Sequence, residues 1–216
     1  MHRWIGLLVG TGIAATGNAN VTSTFDADAE GWGTLNDATS FAWSGTEGNP
    51  AGSVSAVDQR QGPIWYFAAS SAYLGDQSAS LGLDLSWDIL GLVGSQTSVT
   101  NRADVMLLGG ASTNGAAIGI DADVIPQLDE WTPWSVTLGG AGWQSVDLSS
   151  GSLSGADVSE ATIAAILADL AGVYIRGEYT NGSDSTALDN VSLAVPTPGA
   201  ISVLVGVGLL TTRRRR

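Results

Sequence analysis

The sequence predicts an all-β protein, a jelly-roll β-sandwich with one short amphipathic helix, and three observations carry that prediction. Residues 81–90 (LGLDLSWDIL) alternate strictly: Leu81, Leu83, Leu85, Trp87 and Ile89 take one face while Asp84, Ser86 and Asp88 take the other, so one face packs on a core and the other meets water. About ten runs of this strand-like kind recur along the chain, divided by turns drawn from its 29 glycines. Only residues 159–171 (SEATIAAILADLA) have helical period, with Ile163, Ile166, Leu167 and Leu170 at three-four spacing, Ser159 as N-cap and Gly172 as stop. One helix among so many strands favours a sandwich over an α/β fold.

Taken from the N-terminus, Met1–Ala19 reads as an export signal. It has a basic start (His2, Arg3), an apolar run from Ile5 to Ala15, and Gly17-Asn18-Ala19 as a small-residue cleavage site, with cut expected after Ala19. Residues 21–26 (VTSTFD) alternate as a first strand. Asp26, Asp28 and Glu30 then place three carboxylates ahead of Gly31 and Trp32. Residues 40–43 are short and aromatic, and residues 45–52 are a turn-rich loop. Residues 52–57, with Val54 and Val57, are expected to form a hairpin with residues 64–69.

That second arm, IWYFAA, is apolar throughout and predicts a strand buried on both faces. Ser70 and Ser71 loosen the chain, Tyr73-Leu74 folds back as a lid over the strand's end, and Gly75-Asp76 supplies turn chemistry. Past the strand at 81–90, residues 105–108 and 116–120 continue the sheet around Gly109-Gly110. Residues 130–134 (EWTPW) put two Trp around a Pro, a loop or edge feature. Residues 135–138 form a strand, 139–142 turn, and 143–148 return. Residues 173–179 and 186–195 are the last two strands.

The far end is an address as well. Pro196, Thr197 and Pro198 make a hinge before an apolar run from Ala200 to Leu210, and Arg213 to Arg216 close the chain as a cytoplasmic-side basic cluster. From Gly199 to Thr212 is 14 residues, a reach of roughly 21 Å, short for a lasting membrane helix and better suited to a sorting signal. A plain C-terminal membrane tail is the other reading. Between the two ends, one domain spans 20–195.

Composition removes whole classes of chemistry. The chain has no Cys and no Lys, and its only His is His2 in the leader. Disulfides, zinc sites with N or S ligands, His-based triads, thiol nucleophiles and Schiff-base lysines are therefore excluded from the domain. All 21 acidic residues fall inside the domain and only Arg60, Arg102 and Arg176 oppose them. Such a surface repels nucleic acid and suits either plain solubility or divalent cations.

The punctuation of the domain resembles the laminin B (laminin type IV) domain. The residues that carry the likeness are Phe25 with Glu30-Gly31-Trp32, then Tyr66-Phe67-Ala68-Ala69 and Tyr73-Leu74-Gly75-Asp76, then Gly82, Leu85, Trp87, Gly142-Trp143, Ile175-Arg176 and the run Ala187 to Val191 with Leu193. Ser70 stands where that signature usually has Pro. The resemblance implies a jelly roll related in fold to carbohydrate-binding modules, with neighbouring first and last strands and a structural Ca²⁺ near them. The tail resembles the PEP-CTERM sorting signal recognised by an exosortase-type enzyme, with Thr197 in place of its acidic residue.

Two sites follow as expectations. A cation site is drawn from Asp26, Asp28, Glu30 and Asp189, because Ca²⁺ takes six to eight hard oxygen ligands; turn capping by the same residues is the alternative. Trp131, Trp134 and Trp43 are candidates for stacking on sugar rings, with Asp129, Glu130 or Asn101 for hydroxyls, and core packing is the alternative. Arg176, among apolar neighbours, is expected to pair with Glu178 or Asp189. Paired acids such as Asp129-Glu130 are a weak signal for a glycosidase.

The resulting expectation is an exported envelope or matrix protein, anchored at most transiently in the inner membrane, whose non-catalytic module adheres to surface proteins or binds extracellular polysaccharide. A ligand-free coat or spacer is the alternative, and a carboxylate-based glycan hydrolase or lyase is the third reading.

Overall fold

Leu85, Trp87 and Ile89 point into the core from one of the two longest strands of a six-stranded sheet, as their alternation requires. The computed structural model describes residues 20–58, 62–94, 101–180 and 182–196. The leader, residues 59–61, 95–100 and 181, and the tail from Thr197 onward, including the apolar segment and arginine cluster, lie outside the described residues. Asn20–Val195 form one compact unit. Among the described residues no helix is long and apolar enough to cross a membrane.

Thirteen strands are described. In chain order they are β1 (Val21–Ser23), β2 (Gly33–Leu35), β3 (Thr39–Ser44), β4 (Ser53–Asp58), β5 (Tyr66–Ala68), β6 (Asp84–Val93), β7 (Val105–Gly109), β8 (Ala117–Ile120), β9 (Thr132–Thr137), β10 (Gln144–Asp147), β11 (Ser152–Asp157), β12 (Leu170–Arg176) and β13 (Asp184–Leu193), with α1 (Glu160–Leu167) before β12. They form two antiparallel sheets, one ordered β3-β4-β13-β6-β9 with β1 also on β13, the other β11-β10-β8-β7-β12-β5-β2. The protein is a β-sandwich with one helix among the described residues.

Both expected hairpins give way to crossings. β4 pairs with β3 and β13, whereas β5 lies in the other sheet against β12 and β2, so residues 52–57 and 64–69 are not partners. Likewise β9 pairs with β6, while β10 pairs with β8 and β11 across the sandwich. Alternation reports which face of a strand is apolar and carries no information on which sheet receives it.

The helix ends earlier than its spacing predicts. Ser159 caps it by accepting the Thr162 amide at 3.1 Å, and Ile163, Ile166 and Leu167 are buried, but Leu170 already belongs to β12. Tyr73 behaves as the expected lid: its ring is buried edge-on to Trp32 at 5.3 Å and its hydroxyl donates to the Val191 carbonyl at 2.9 Å, tying the turn after β5 to β13 of the opposite sheet.

A second apolar cluster lies on the outer face of the seven-stranded sheet. On β12, Val173 and Ile175 face the core while Tyr174 and Arg176 point the other way; on β5, Phe67 faces in and Tyr66 out. Tyr66, Met106, Ala103 and Leu153 are buried there, under the segment that carries Ala103 and the turn at Gly151.

Candidate functional site

The acidic residues near the first strand meet the last strand, because β1 pairs with β13 through Val21↔Leu193 to Ser23↔Val191. Glu30 turns its Oε1 back onto the Thr24 and Phe25 amides at 3.2 and 2.7 Å, and Asp28 accepts the Glu30 amide at 2.6 Å. Asp189 is buried and its carboxylate accepts the Asn49 amide at 2.7 Å and its neighbour Asn190 at 2.6 Å. Burial raises Asp189 to about 6 against those two amides, and the Asp88 and Asp26 charges push it the same way. A Cβ at Gly52 would lie 2.7 Å from both the Thr24 and Phe25 carbonyl oxygens, so main-chain acceptors crowd this corner too.

This donor set is oxygen only, the chemistry a hard cation takes. Its carboxylates are nonetheless engaged with amides, and among the described residues no three His, Cys, Asp or Glu side chains converge closely enough to ligate one ion. Asp26 is near enough for its charge to bear on Asp189.

The three tryptophans do not form one platform. Trp134 lies directly across from Trp87 in the β6–β9 ladder and packs against the core, because its position on β9 shares the inward face with Val136. Trp131 is half-buried just before that strand. Trp43 is on β3, at the opposite edge of the sheet, 41% exposed, with its Nε1 donating to the Phe25 carbonyl at 2.7 Å. The indole thus belongs to the same corner as Asp26 and Glu30, a juxtaposition that sequence spacing does not show.

Arg176 pairs with neither Glu178's carboxylate nor Asp189. Its Nη1 lies 3.7 Å from Asp104, its Nε donates to the Glu178 carbonyl at 2.5 Å, and its guanidinium lies 4.7 Å from the centre of the Tyr179 ring. Asp104 in turn accepts the Ala122 and Val124 amides at 2.8 and 3.2 Å, and burial raises it to about 6 despite the arginine. Glu178 accepts the Trp65 amide at 3.2 Å and is raised to about 7, first by burial and then by Asp58, Asp37 and Asp184. Asp104 does not stand out in the sequence, although the alternation Val173-Tyr174-Ile175-Arg176 already puts Tyr174 and Arg176 on the face away from the core.

Against protein-family models, residues 66–205 match Laminin B (Domain IV). The match begins at Tyr66, after the Phe25 to Trp32 segment. A comparison with curated proteins returns no match. Among solved structures, the L4b domain of human laminin alpha-2 is 16% identical over 82% of this chain and 97% of that one, with a TM-score of 0.61. The family 11 carbohydrate-binding module of a cellulosomal cellulase of Clostridium thermocellum is 16% identical over 82% of this chain and 95% of that one, with a TM-score of 0.50. An exo-beta-agarase is 14% identical over 83% of this chain but 26% of its own length, with a TM-score of 0.53. At these identities the likeness is one of fold.

Proposed function

The chain belongs to the Laminin B (Domain IV) family, and from that membership we propose that it is a non-catalytic binding module of an exported envelope or matrix protein, working by adhesion or by contact with extracellular polysaccharide. One observation carries the non-catalytic part. Glu30, Asp104, Asp184 and Asp189 each accept two backbone amides, so these four acids are committed to holding loops. A hydrolase needs a carboxyl pair free to act on substrate. The shared sandwich with a family 11 carbohydrate-binding module supports the polysaccharide reading as a matter of fold.

Export rests on the leader Met1–Ala19, and the tail with Arg213 to Arg216 is read as the recognition element of an exosortase-type enzyme. A structural Ca²⁺, where present, is held by Asp26 and Asp189 with the main-chain oxygens beside Gly52, and supplies charge neutralisation between the first and last strands. The surplus of acidic residues favours a second reading, a ligand-free coat. Pull-down of the full chain on insoluble polysaccharides, with and without Ca²⁺, separates the two: retention supports the binding module, and no retention on any of them leaves the coat. Release of reducing ends in the same tubes would overturn the non-catalytic assignment.

A further inference from the structure

The outer face of the seven-stranded sheet carries a shelf. The register runs one row of residues straight across the strands: Gly33 opposite Ala68, Ala68 opposite Tyr174, Tyr174 opposite Met106, and Met106 opposite Gly119. All of these side-chain positions point away from the core, because Phe67, Val173 and Ile175 between them point into it. The row divides at Tyr174. On one side Met106 and Gly119 run under a bank: a Cβ at Gly119 would lie 2.6 Å from the Ala103 Cβ and 3.3 Å from Leu153. On the other side Ala68 and Gly33 carry no side chain beyond Cβ, and both are partly exposed.

The Tyr174 ring lies down along its own strand. A Cβ on Gly172 would come within 2.6 Å of its hydroxyl and 2.8 Å of its Cε2 and Cζ, so the ring covers Gly172 and is half-buried at the foot of the bank. Glycine at 172 is what permits this posture, and burial raises the phenol above its ordinary range.

We propose that this shelf, with Tyr174 as its platform, is the contact surface for a neutral, linear polysaccharide. The proposal rests on the binding-module reading above and gives it a place. A half-exposed ring laid along its strand beside a floor of Gly and Ala offers an apolar surface of the kind that packs on the C–H face of a pyranose. The same surface offers little side-chain area for a protein partner, which needs deep anchoring pockets. The acidic excess of the domain disfavours anionic glycans. The shelf lies on the other sheet from Trp131 and Trp43, so the two surfaces are separable by mutation.

Native affinity electrophoresis of the full chain in gels containing mixed-linkage β-glucan, xylan or agarose tests it. Wild type is expected to be retarded by at least one of these. Tyr174→Ala loses affinity by about tenfold or more, Tyr174→Phe keeps it, and Trp131→Ala and Trp43→Ala keep it. Gly172→Ala, which props the ring off the sheet without removing it, also weakens retardation. Wild-type retardation of a folded Tyr174→Ala overturns the shelf while leaving polysaccharide binding in place, as does a loss confined to the tryptophan variants. If Tyr174→Ala fails to fold, unchanged retardation of Gly172→Ala overturns the shelf. Wild type retarded by none of the three overturns the shelf and the polysaccharide half of the binding reading together.

Discussion

Arg176 and Asp104 face each other at 3.7 Å with their side chains only 2% and 1% exposed, and the Arg176 amide donates to the Asp104 carbonyl at 2.8 Å as well. Main chain and side chain together fasten β12 to the start of β7, and Asp104 extends the clamp to the loop at Ala122 and Val124.

Removing one partner of this pair leaves a buried charge without its counterpart. Asp104→Ala is expected to cost about 3–5 kcal/mol in urea unfolding, and replacing both residues by apolar ones of similar volume far less than the sum of the singles. A double-mutant cycle with no coupling would show that the amides at Ala122 and Val124 are Asp104's only structural partners of consequence.

The pH dependence follows from the direction of three shifts. Asp104 and Asp189 are raised to about 6 and Glu178 to about 7, all three first by burial. A group held above its unfolded value binds its proton more tightly when folded, so its contribution is fully present below the ordinary carboxylate range and is lost as pH rises through 6 to 7. Asp76, Asp147 and Asp169 are lowered by hydrogen bonds from Ser78, Ser149 and Ser112, and their contribution is lost as pH falls through their depressed values. The melting temperature is therefore expected to be higher near pH 5 than near pH 8, roughly, and to fall again in stronger acid. A flat profile between pH 5 and pH 8, approximately, would contradict the raised values.

Bound Ca²⁺ at the proposed site is expected to reverse part of that profile. If the ion is held by Asp26 and Asp189, millimolar Ca²⁺ raises the melting temperature at neutral pH, a chelator lowers it, and Asp189→Ala abolishes the difference. No shift in either direction removes the site.

Tyr73→Phe tests the tie between the sheets. It deletes the bond to the Val191 carbonyl and leaves a buried acceptor unsatisfied, a loss of about 1–3 kcal/mol by chemical denaturation with the ring packing on Trp32 intact.

Gly177→Ala tests close packing. A Cβ there would fall 2.0 Å from the Trp65 ring, so the indole must shift, at a cost of about 1–3 kcal/mol and with a changed Trp fluorescence spectrum.

Strong local periodicity made β6 and the buried face of α1 readable from the sequence, since Leu85, Trp87, Ile89, Ile163, Ile166 and Leu167 are all where their spacing puts them. Gly33-Thr34-Leu35 and the run from Ser152 to Asp157 have no apolar alternation, and β2 and β11 exist only because neighbouring strands offer them an edge. That the first and last strands are neighbours, which the family resemblance implied, holds in the β1–β13 ladder, but the backbone amides that occupy Glu30 and Asp189 were not legible from the spacing of Asp26, Asp28, Glu30 and Asp189. Asp104 as the partner of Arg176 depends on strand order in the seven-stranded sheet, which residue spacing does not encode, whereas the alternation along β12 already turns Tyr174 outward beside Gly172.

The last strand, β13, is the central member of its sheet, flanked by β4 and β1 on one side and β6 on the other. A growing or threading chain cannot close that sheet until residues 184–193 have emerged, since β4 and β6 have no ladder to each other without them. Closure of the six-stranded sheet therefore waits for the last strand of the domain and is dominated by contacts distant in sequence. A chain built this way keeps β4 and β6 as separate halves over most of its length, and a single late segment turns them into one sheet.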